Sequence, residues 1–133
     1  MDNYVFPCVF VYEGVCIHIY FPDLDGCVSF GKNETDAFEN AKEALSLHLY
    51  GMEQDNMPIP EPMPIKDVAL DDNEKALLIE AFMPVFRAKQ ANKLVKKTLT
   101  IPEWLNILAE RNGVNFSQVL QNALKEQLQV TNR

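Results

Sequence analysis

The segment VKKTLTIPEW, residues 95–104, begins with the pattern of a β-strand and ends with that of a helix. Its strand residues alternate between two faces, one formed by Lys96, Thr98 and Thr100 and the other by Lys97, Leu99 and Ile101. Pro102 then fixes φ at a value that suits the first turn of a helix. A strand needs a hydrogen-bonded neighbour, and this one has no obvious neighbour in its own part of the chain, so its partner must come from elsewhere.

Two short amphipathic helices are predicted after this strand. The first, EWLNILAER, is apolar on one side and ends at Asn112-Gly113, where glycine suits a left-handed residue. Asn115 caps the second helix, with Gln118 in the capping-box position. The apolar stripe of the second helix consists of Phe116, Val119, Leu120, Ala123, Leu124 and Leu128. A strand–helix–helix unit of this size buries too little apolar surface to be stable alone.

The pattern from residue 96 to about residue 130 resembles the ribbon-helix-helix family of DNA-binding domains. The resemblance rests on the alternating strand, the proline at the helix entry, the Asn-Gly break and the capped second helix. It implies that two chains pair their single strands as an antiparallel ribbon, which makes the domain a homodimer. We expect the shared core to contain Leu99, Ile101, Leu105, Leu108, Val119 and Leu120.

The ribbon-helix-helix resemblance also implies operator DNA as a partner, because a two-stranded ribbon fits the major groove. Lys96, Thr98 and Thr100 would face the bases, and Lys97 would attract phosphates. A further phosphate contact is expected from the backbone N–H groups that begin the second helix, at Asn115, Phe116 and Ser117. The alternative is an ordinary strand in a single α+β domain, with threonines that only face solvent.

The charge of the chain is divided unevenly between its two parts. The net charge of −7 argues against a generic nucleic-acid binder. However, residues 1–72 hold 14 Asp and Glu against 3 Lys, whereas residues 73–133 hold 5 Glu against 9 Lys and Arg. The first part therefore carries −11 and the second +4, which indicates two different partners.

The acidic part predicts a small sheet that begins with three strands. Residues 4–12 are apolar on both faces and rich in β-formers, and Glu13-Gly14 fits a two-residue hairpin turn. Residues 15–21 alternate as a second strand. The PDLDG cluster then predicts a turn, and residues 27–31 predict a short third strand.

A long helix and a fourth strand complete this predicted domain. Asn33 can cap a helix that runs to about residue 54, and its apolar stripe is formed by Phe38, Ala41, Leu45, Leu49 and Met52. Prolines at every second position make residues 57–64 extended. Residues 75–82, KALLIEAF, predict the fourth strand, although Ala, Leu and Glu also allow a helix. Residues 87–95 predict a linker or a short helix.

The β-β-β-α-β pattern resembles the HicB-type antitoxin domain over residues 4–83. The matching features are the capped helix start, Phe21-Pro22-Asp23, Gly26-Cys27, Gly31, Ala37 and the IPEP of residues 59–62. The resemblance implies an α+β protein whose N-terminal sheet is like a partial RNase H fold. The implied domains are an acidic toxin-binding domain at 1–87, a linker at 88–95 and the ribbon-helix-helix domain at 96–133.

The HicB resemblance implies that the chain sequesters a small, basic, mRNA-cleaving toxin of the HicA type and represses the promoter that the two share. An acidic domain suits such a toxin, because complementary potentials speed and orient association. The predicted toxin contacts are Glu13, Asp23 and Asp25, and the ribbon dimer would form higher-order assemblies with the toxin. The alternative is that the negative charge serves only solubility. Neither a cofactor nor a catalytic residue is expected.

Two other functions stay open from the residues alone. One is a ribbon-helix-helix repressor whose N-terminal domain senses a small ligand. The other is a metal-dependent nuclease in which Asp23 and Asp25 hold a divalent ion, although both lie in a turn where aspartate serves the backbone. Cys16, His18 and Cys27 do not match the spacing of zinc ligands, so no metal site is expected.

The remaining features of the sequence indicate a cytoplasmic protein. The three cysteines are an odd number on predicted strands, which favours buried thiols in a reducing compartment. No apolar run approaches the ~20 residues of a membrane helix. The first ten residues, MDNYVFPCVF, lack the pattern of a signal peptide, and we expect no membrane contact.

Overall fold

One antiparallel sheet of four strands organises the computed structural model, which describes residues 1–130. The strands are β1 (Asn3–Glu13), β2 (Cys16–Tyr20), β3 (Val28–Gly31) and β4 (Glu74–Phe82), in the spatial order β3-β2-β1-β4. The helices are α1 (Glu34–Gln54), α2 (Met83–Ala91), α3 (Glu103–Arg111) and α4 (Phe116–Leu128), with a 3₁₀ turn at Ile65–Asp67. The predicted α+β class is confirmed, and so are the four strands of the acidic part.

The chain divides into two units, Met1–Leu94 and Val95–Arg133, called here the N-terminal unit and the C-terminal unit. The N-terminal unit contains the whole sheet together with α1 and α2, and the C-terminal unit contains α3 and α4. Helix α2 continues past residue 87, where the first domain was predicted to end.

Strand β1 lies in the middle of the sheet and pairs along almost its whole length. Its residue Val9 lies opposite Tyr20 of β2 on one side and opposite Ala76 of β4 on the other. The β1–β2 hairpin closes with Glu13 opposite Cys16, and Gly14 in the turn has φ +66. Residues on both faces of this strand are buried, among them Cys8 and Val9, which agrees with the apolar pattern predicted for both faces of residues 4–12.

Helix α1 begins at the predicted cap. The Asn33 side chain accepts a hydrogen bond from the Asp36 backbone N–H at 2.8 Å, and the Asp36 carboxylate accepts one from the Lys32 N–H at 2.9 Å. These two bonds satisfy N–H groups at the start of the helix, where no intrahelical acceptor is available.

The core lies between α1 and one face of the sheet. Buried residues of α1 recur every four positions, at Ala37, Ala41, Leu45 and Leu49. The sheet contributes Phe6, Cys8, Phe10, Ile17, Ile19, Ile79 and Ala81. The predicted stripe was wrong at Phe38, which is 41% exposed and holds the Lys42 ammonium 5.6 Å from its ring centroid. Ala37 takes the inward position because the start of α1 lies directly against Gly31.

Two hydrogen-bonded connections hold the later segments against the sheet and α1. Residues 57–64 are neither helix nor strand, as the prolines predicted, and the Met63 N–H donates to the Asp23 carboxylate at 3.1 Å. In α2, Arg87 donates to Glu53 at 3.1 Å and to Asp2 at 2.7 Å. These hydrogen bonds raise the pKa of the Arg87 guanidinium, so α2 is tied to both the end of α1 and the chain start.

The C-terminal unit begins with a segment, residues 95–102, that is neither helix nor strand. It includes residues 96–101, which were predicted to form a strand. A strand is defined by its hydrogen-bonded neighbour, and within residues 1–130 of one chain this segment has none. Pairing between two chains therefore stays a prediction.

The predicted turn and cap between α3 and α4 are confirmed. Gly113 adopts φ +66 directly after α3, and the Asn115 side chain accepts from the Gln118 N–H at 3.0 Å. The capping box is incomplete, because the Gln118 amide donates to the Asn122 side chain at 2.8 Å instead of to the Asn115 N–H. A contact four residues along the helix replaces the expected reciprocal bond.

Candidate functional site

The C-terminal unit exposes its apolar residues instead of burying them. None of its described residues, 95–130, is buried. Leu99 is 56% exposed and Val119 is 55% exposed, although both lie on apolar faces. Of the six residues predicted to form a dimer core, five are exposed and Leu120 is half-buried. This unit therefore exposes apolar side chains of the kind that mark interaction sites.

The predicted DNA contacts of residues 96–100 all lie on the exposed segment that precedes α3. Lys96, Lys97, Thr98 and Thr100 are exposed. The segment therefore presents two positive charges and two hydroxyl groups to solvent.

The other predicted DNA contacts surround the start of α4. Asn115 caps the helix with its side chain, and its carbonyl accepts from the Val119 N–H at 3.0 Å. The N–H groups of Phe116 and Ser117 lie ahead of that first intrahelical bond, where helical N–H groups have no acceptor within the helix. Such a helix start can bind a phosphate.

The three predicted toxin contacts lie in the N-terminal unit, in two settings. Glu13 is exposed at the end of β1. Asp23 and Asp25 belong to the turn between β2 and β3, where Asp23 is half-buried and accepts from Met63, and Asp25 is exposed. Asp23 thus has a local role in holding the extended segment, and Asp25 has its carboxylate in solvent.

The face of the sheet opposite α1, called here the open face, was not singled out from the sequence. Strand register places Val28 and Phe30 of β3 on it, beside Tyr20 and His18 of β2. It continues across β1 to alternate residues of β4, namely Ala76, Leu78, Glu80 and Phe82. The signal in the sequence was the apolar character of both faces of β1, which indicates that the second face is also covered in a working assembly.

Two buried thiols belong to the core and not to a reactive site. Burial raises the pKa of Cys8 to about 12, with a smaller effect from the neighbouring Cys27 thiol. Burial likewise raises the pKa of Cys27 to about 11, and its sulfur lies 3.6 Å from the carbonyl oxygen of Ala44. Both groups are protonated at neutral pH, so neither is a nucleophile or a metal ligand there.

A family model for the HicB-like antitoxin of bacterial toxin–antitoxin systems matches residues 12–123, which include three of the four strands, α1 to α3 and the first part of α4. The chain belongs to the HicB-like antitoxin family. The resemblance drawn from the residues of the N-terminal pattern is thereby confirmed.

Solved structures of HicB antitoxins share the fold of this family member. A toxin–antitoxin complex from Streptococcus pneumoniae contains a chain that matches with a TM-score of 0.60 at 22% identity, over 94% of this chain and 99% of that one. The crystal structure of antitoxin HicB3 matches with a TM-score of 0.51 at 28% identity, over 93% and 97%. Antitoxin HicB from Burkholderia pseudomallei matches with a TM-score of 0.54 at 18% identity, over 94% and 98%.

A curated relative comes from Haemophilus phage HP1 (strain HP1c1), where it is an uncharacterized 14.9 kDa protein in the rep-hol intergenic region. It is 32% identical over 84 residues, which make up 63% of this chain. The match spans 62% of the phage protein, less than two thirds of its length.

The described part of this HicB-like chain contains neither a metal-binding cluster nor a membrane-spanning helix. Among residues 1–130, no three or more His, Cys, Asp or Glu side chains are grouped so as to hold a metal ion. No helix within that range is long and apolar enough to cross a bilayer.

Proposed function

We propose that this chain binds and neutralises a HicA-type, mRNA-cleaving toxin and represses its own operon by binding operator DNA. The observation that carries the proposal is the contrast between the two units. The N-terminal unit holds the entire buried core and has 16 Asp and Glu against 7 Lys and Arg. The C-terminal unit has no buried residue among those described and has 3 Glu against 5 Lys and Arg.

The C-terminal unit acts as a ribbon-helix-helix dimer. Its exposed apolar residues need a cover, and its strand-like segment needs a neighbour; a second copy of the same unit supplies both. The dimer core comprises Leu99, Ile101, Leu105, Leu108, Val119 and Leu120. Burial of such side chains gives roughly 1.5–3 kcal/mol each, which is enough to hold two small units together.

Operator binding follows from the polar face of the same ribbon. Lys96, Thr98 and Thr100 enter the major groove and contact base edges. Lys97 contacts phosphate, and a second phosphate is held at the start of α4 by the residues Asn115, Phe116 and Ser117. The acidic N-terminal unit does not take part in these contacts, because its carboxylates repel the DNA backbone.

The N-terminal unit, with a sheet like a partial RNase H fold, inhibits the toxin by occlusion. It covers the RNA-binding or catalytic surface of the toxin, and no bond is made or broken by this chain, so it is not an enzyme. Glu13, Asp23 and Asp25 contribute charge to the contact. Each ribbon dimer then carries two toxin-binding units, which gives higher-order complexes.

The test is co-expression of this chain with the protein encoded by the neighbouring reading frame. The expected result is co-purification of the two, loss of mRNA cleavage by the partner, and a gel shift of the operon promoter at a concentration of roughly 10 nM or below, the range of specific DNA binding. Cleavage that continues at full rate in the presence of this chain would refute the antitoxin function. A promoter fragment bound no better than random DNA would refute the repressor function.

A further inference from the structure

The open face of the sheet carries large apolar side chains that the N-terminal unit leaves exposed. Val28 is 65% exposed, Phe30 58%, Leu78 52% and Phe82 53%. Pro7 and Val9, at the centre of the same face, are buried among their neighbours. Exposed apolar side chains therefore lie on both edge strands of this face, β3 and β4, and exposed apolar surface of this kind marks an interaction site.

The charges on the open face have one sign. Glu74 lies opposite Val11, Glu80 lies opposite Val5, and Glu13 ends β1 on this face. The four described strands contain one lysine, Lys75, and it lies opposite Phe10 on the side of the sheet that faces α1. The strand positions of the open face thus include three carboxylates and no lysine or arginine within the described sheet.

The carboxylates affect a tyrosine in the middle of this face. Burial raises the pKa of Tyr20, and the negative charges of Glu74 and Asp71 raise it further. Asp71 therefore adds a fourth carboxylate near the face, and its backbone N–H donates to the Glu74 side chain at 2.8 Å. This bond fixes Glu74 in place, so part of the negative potential is held in a defined position.

These charges discriminate among possible occupants of the open face. A second copy of this chain docked face to face would bring carboxylates against carboxylates, which costs free energy. Nucleic acid would meet an apolar surface rimmed by negative charge, which repels phosphates. A basic protein with its own exposed apolar side chains satisfies both the apolar centre and the acidic rim.

We propose that the open face is the surface that binds the basic toxin, with Phe30 and Leu78 as apolar anchors and Glu74 and Glu80 as the charged rim. This inference rests on the proposed function and deepens it, because it makes the open face of the sheet, and not α1, the main surface for the toxin. Large apolar side chains that become fully buried dominate affinity, whereas rim charges govern association rate and salt dependence.

The test uses the full chain and the protein encoded by the neighbouring reading frame, with affinity measured by titration calorimetry and inhibition measured by mRNA cleavage. The double variant Phe30→Lys plus Leu78→Lys is expected to weaken binding by about a hundredfold or more, because it removes two anchors and adds two like charges. The matched control is Phe38→Lys plus Leu47→Lys. These residues are 41% and 57% exposed on α1 and receive the same changes, so affinity is expected within about twofold of wild type.

A second pair of variants keeps the test independent of folding. Glu74→Gln plus Glu80→Gln leaves the apolar surface intact and is expected to slow association and flatten its salt dependence. Three results would each overturn the inference. The open-face lysine variant could bind the toxin with wild-type affinity, or the α1 control could lose as much affinity as that variant. The third is a variant that changes oligomeric state and keeps its affinity for the toxin. In those cases the wild-type chain still binds and inhibits, whereas a wild-type chain that does not bind at all overturns the proposed function itself.

Discussion

Gly31, the last residue of β3, lies against Ala37 in the first turns of α1 without room for a side chain. A Cβ placed on Gly31 would lie within 3.0 Å of the backbone nitrogen, the Cα and the Cβ of Ala37. Because two of these are backbone atoms, Gly31→Ala forces the strand and the helix apart. We expect a loss of about 1–3 kcal/mol in the free energy of unfolding, measured by urea denaturation.

Gly51 provides the control for this prediction, because the same substitution there meets open space. A Cβ at Gly51, near the end of α1, has no atom within 4 Å. Gly51→Ala should raise the free energy of unfolding by roughly 0.5–1 kcal/mol, since alanine favours the helix. Equal stability of the two variants would show that the contact between Gly31 and Ala37 does not limit the packing of α1.

The sequence predicted the elements of the N-terminal unit well because each is marked by a local signal. Proline alternation, the Asn33 cap and the period of two in β2 all act over a few residues. The position of Phe38 was predicted wrongly because the choice between Phe38 and Ala37 depends on how closely α1 approaches Gly31. That distance is set by tertiary packing, and the sequence pattern of the helix alone does not predict it.

The candidate surfaces show the same division between local and tertiary information. The cap at Asn115 follows from the helix-start pattern, whereas the two faces assigned to residues 96–101 stay a prediction, because all of these residues are exposed in one chain. The open face was missed because its members come from four separate segments, and only strand order and register bring Phe30 and Leu78 to one side of the sheet. Asp23 and Asp25 are carboxylates close together in the sequence, yet the Asp23 carboxylate accepts a hydrogen bond from the Met63 backbone N–H.

Residues 1–94 alone should neutralise the toxin. This fragment keeps every buried residue of the chain that the structure describes, and it keeps α2 with the Arg87 contacts to Glu53 and Asp2. Rescue of cells that co-express the toxin is the measurement, and circular dichroism verifies that the fragment is folded. Rescue that requires the full chain, from a fragment that is folded, would contradict the division of labour between the two units.

The buried thiols predict a loss of stability at high pH. In the unfolded chain a thiol ionises near its ordinary pKa of 9.0, whereas folding raises the pKa of Cys8 to about 12 and of Cys27 to about 11. Their contribution is therefore fully present below pH 9 and is lost as the pH rises through the folded values. Urea midpoints should fall between pH 8 and pH 10.5, and fall less in Cys8→Ala plus Cys27→Ala. If the urea midpoint falls equally steeply with pH in the wild type and in the double variant, the thiols are not the cause of the loss of stability.

Leu99→Asp should abolish both dimerisation and operator binding. In the proposed ribbon Leu99 enters the shared core, where an unpaired carboxylate costs several kcal/mol, more than so small a unit can spare. Light scattering and gel shifts measure the two effects. Leu94→Asp is the matched control, because Leu94 is 92% exposed and precedes the proposed ribbon. A Leu99→Asp protein that stays dimeric and binds its operator would show that this segment does not pair between chains.

Lys97→Ala and Thr98→Ala should separate phosphate contact from base reading on adjacent residues. Lys97 faces phosphates in the proposed complex, so its loss should weaken binding to operator and random DNA alike and reduce the dependence on salt. Thr98 faces the bases, so its loss should weaken operator binding by roughly 1 kcal/mol for each lost contact, counted twice in a symmetric dimer, and leave random DNA unaffected. Gel shifts with both DNAs at two salt concentrations distinguish these patterns. If Thr98→Ala weakens both DNAs equally while Lys97→Ala weakens only the operator, the two faces of the ribbon are assigned the wrong way round.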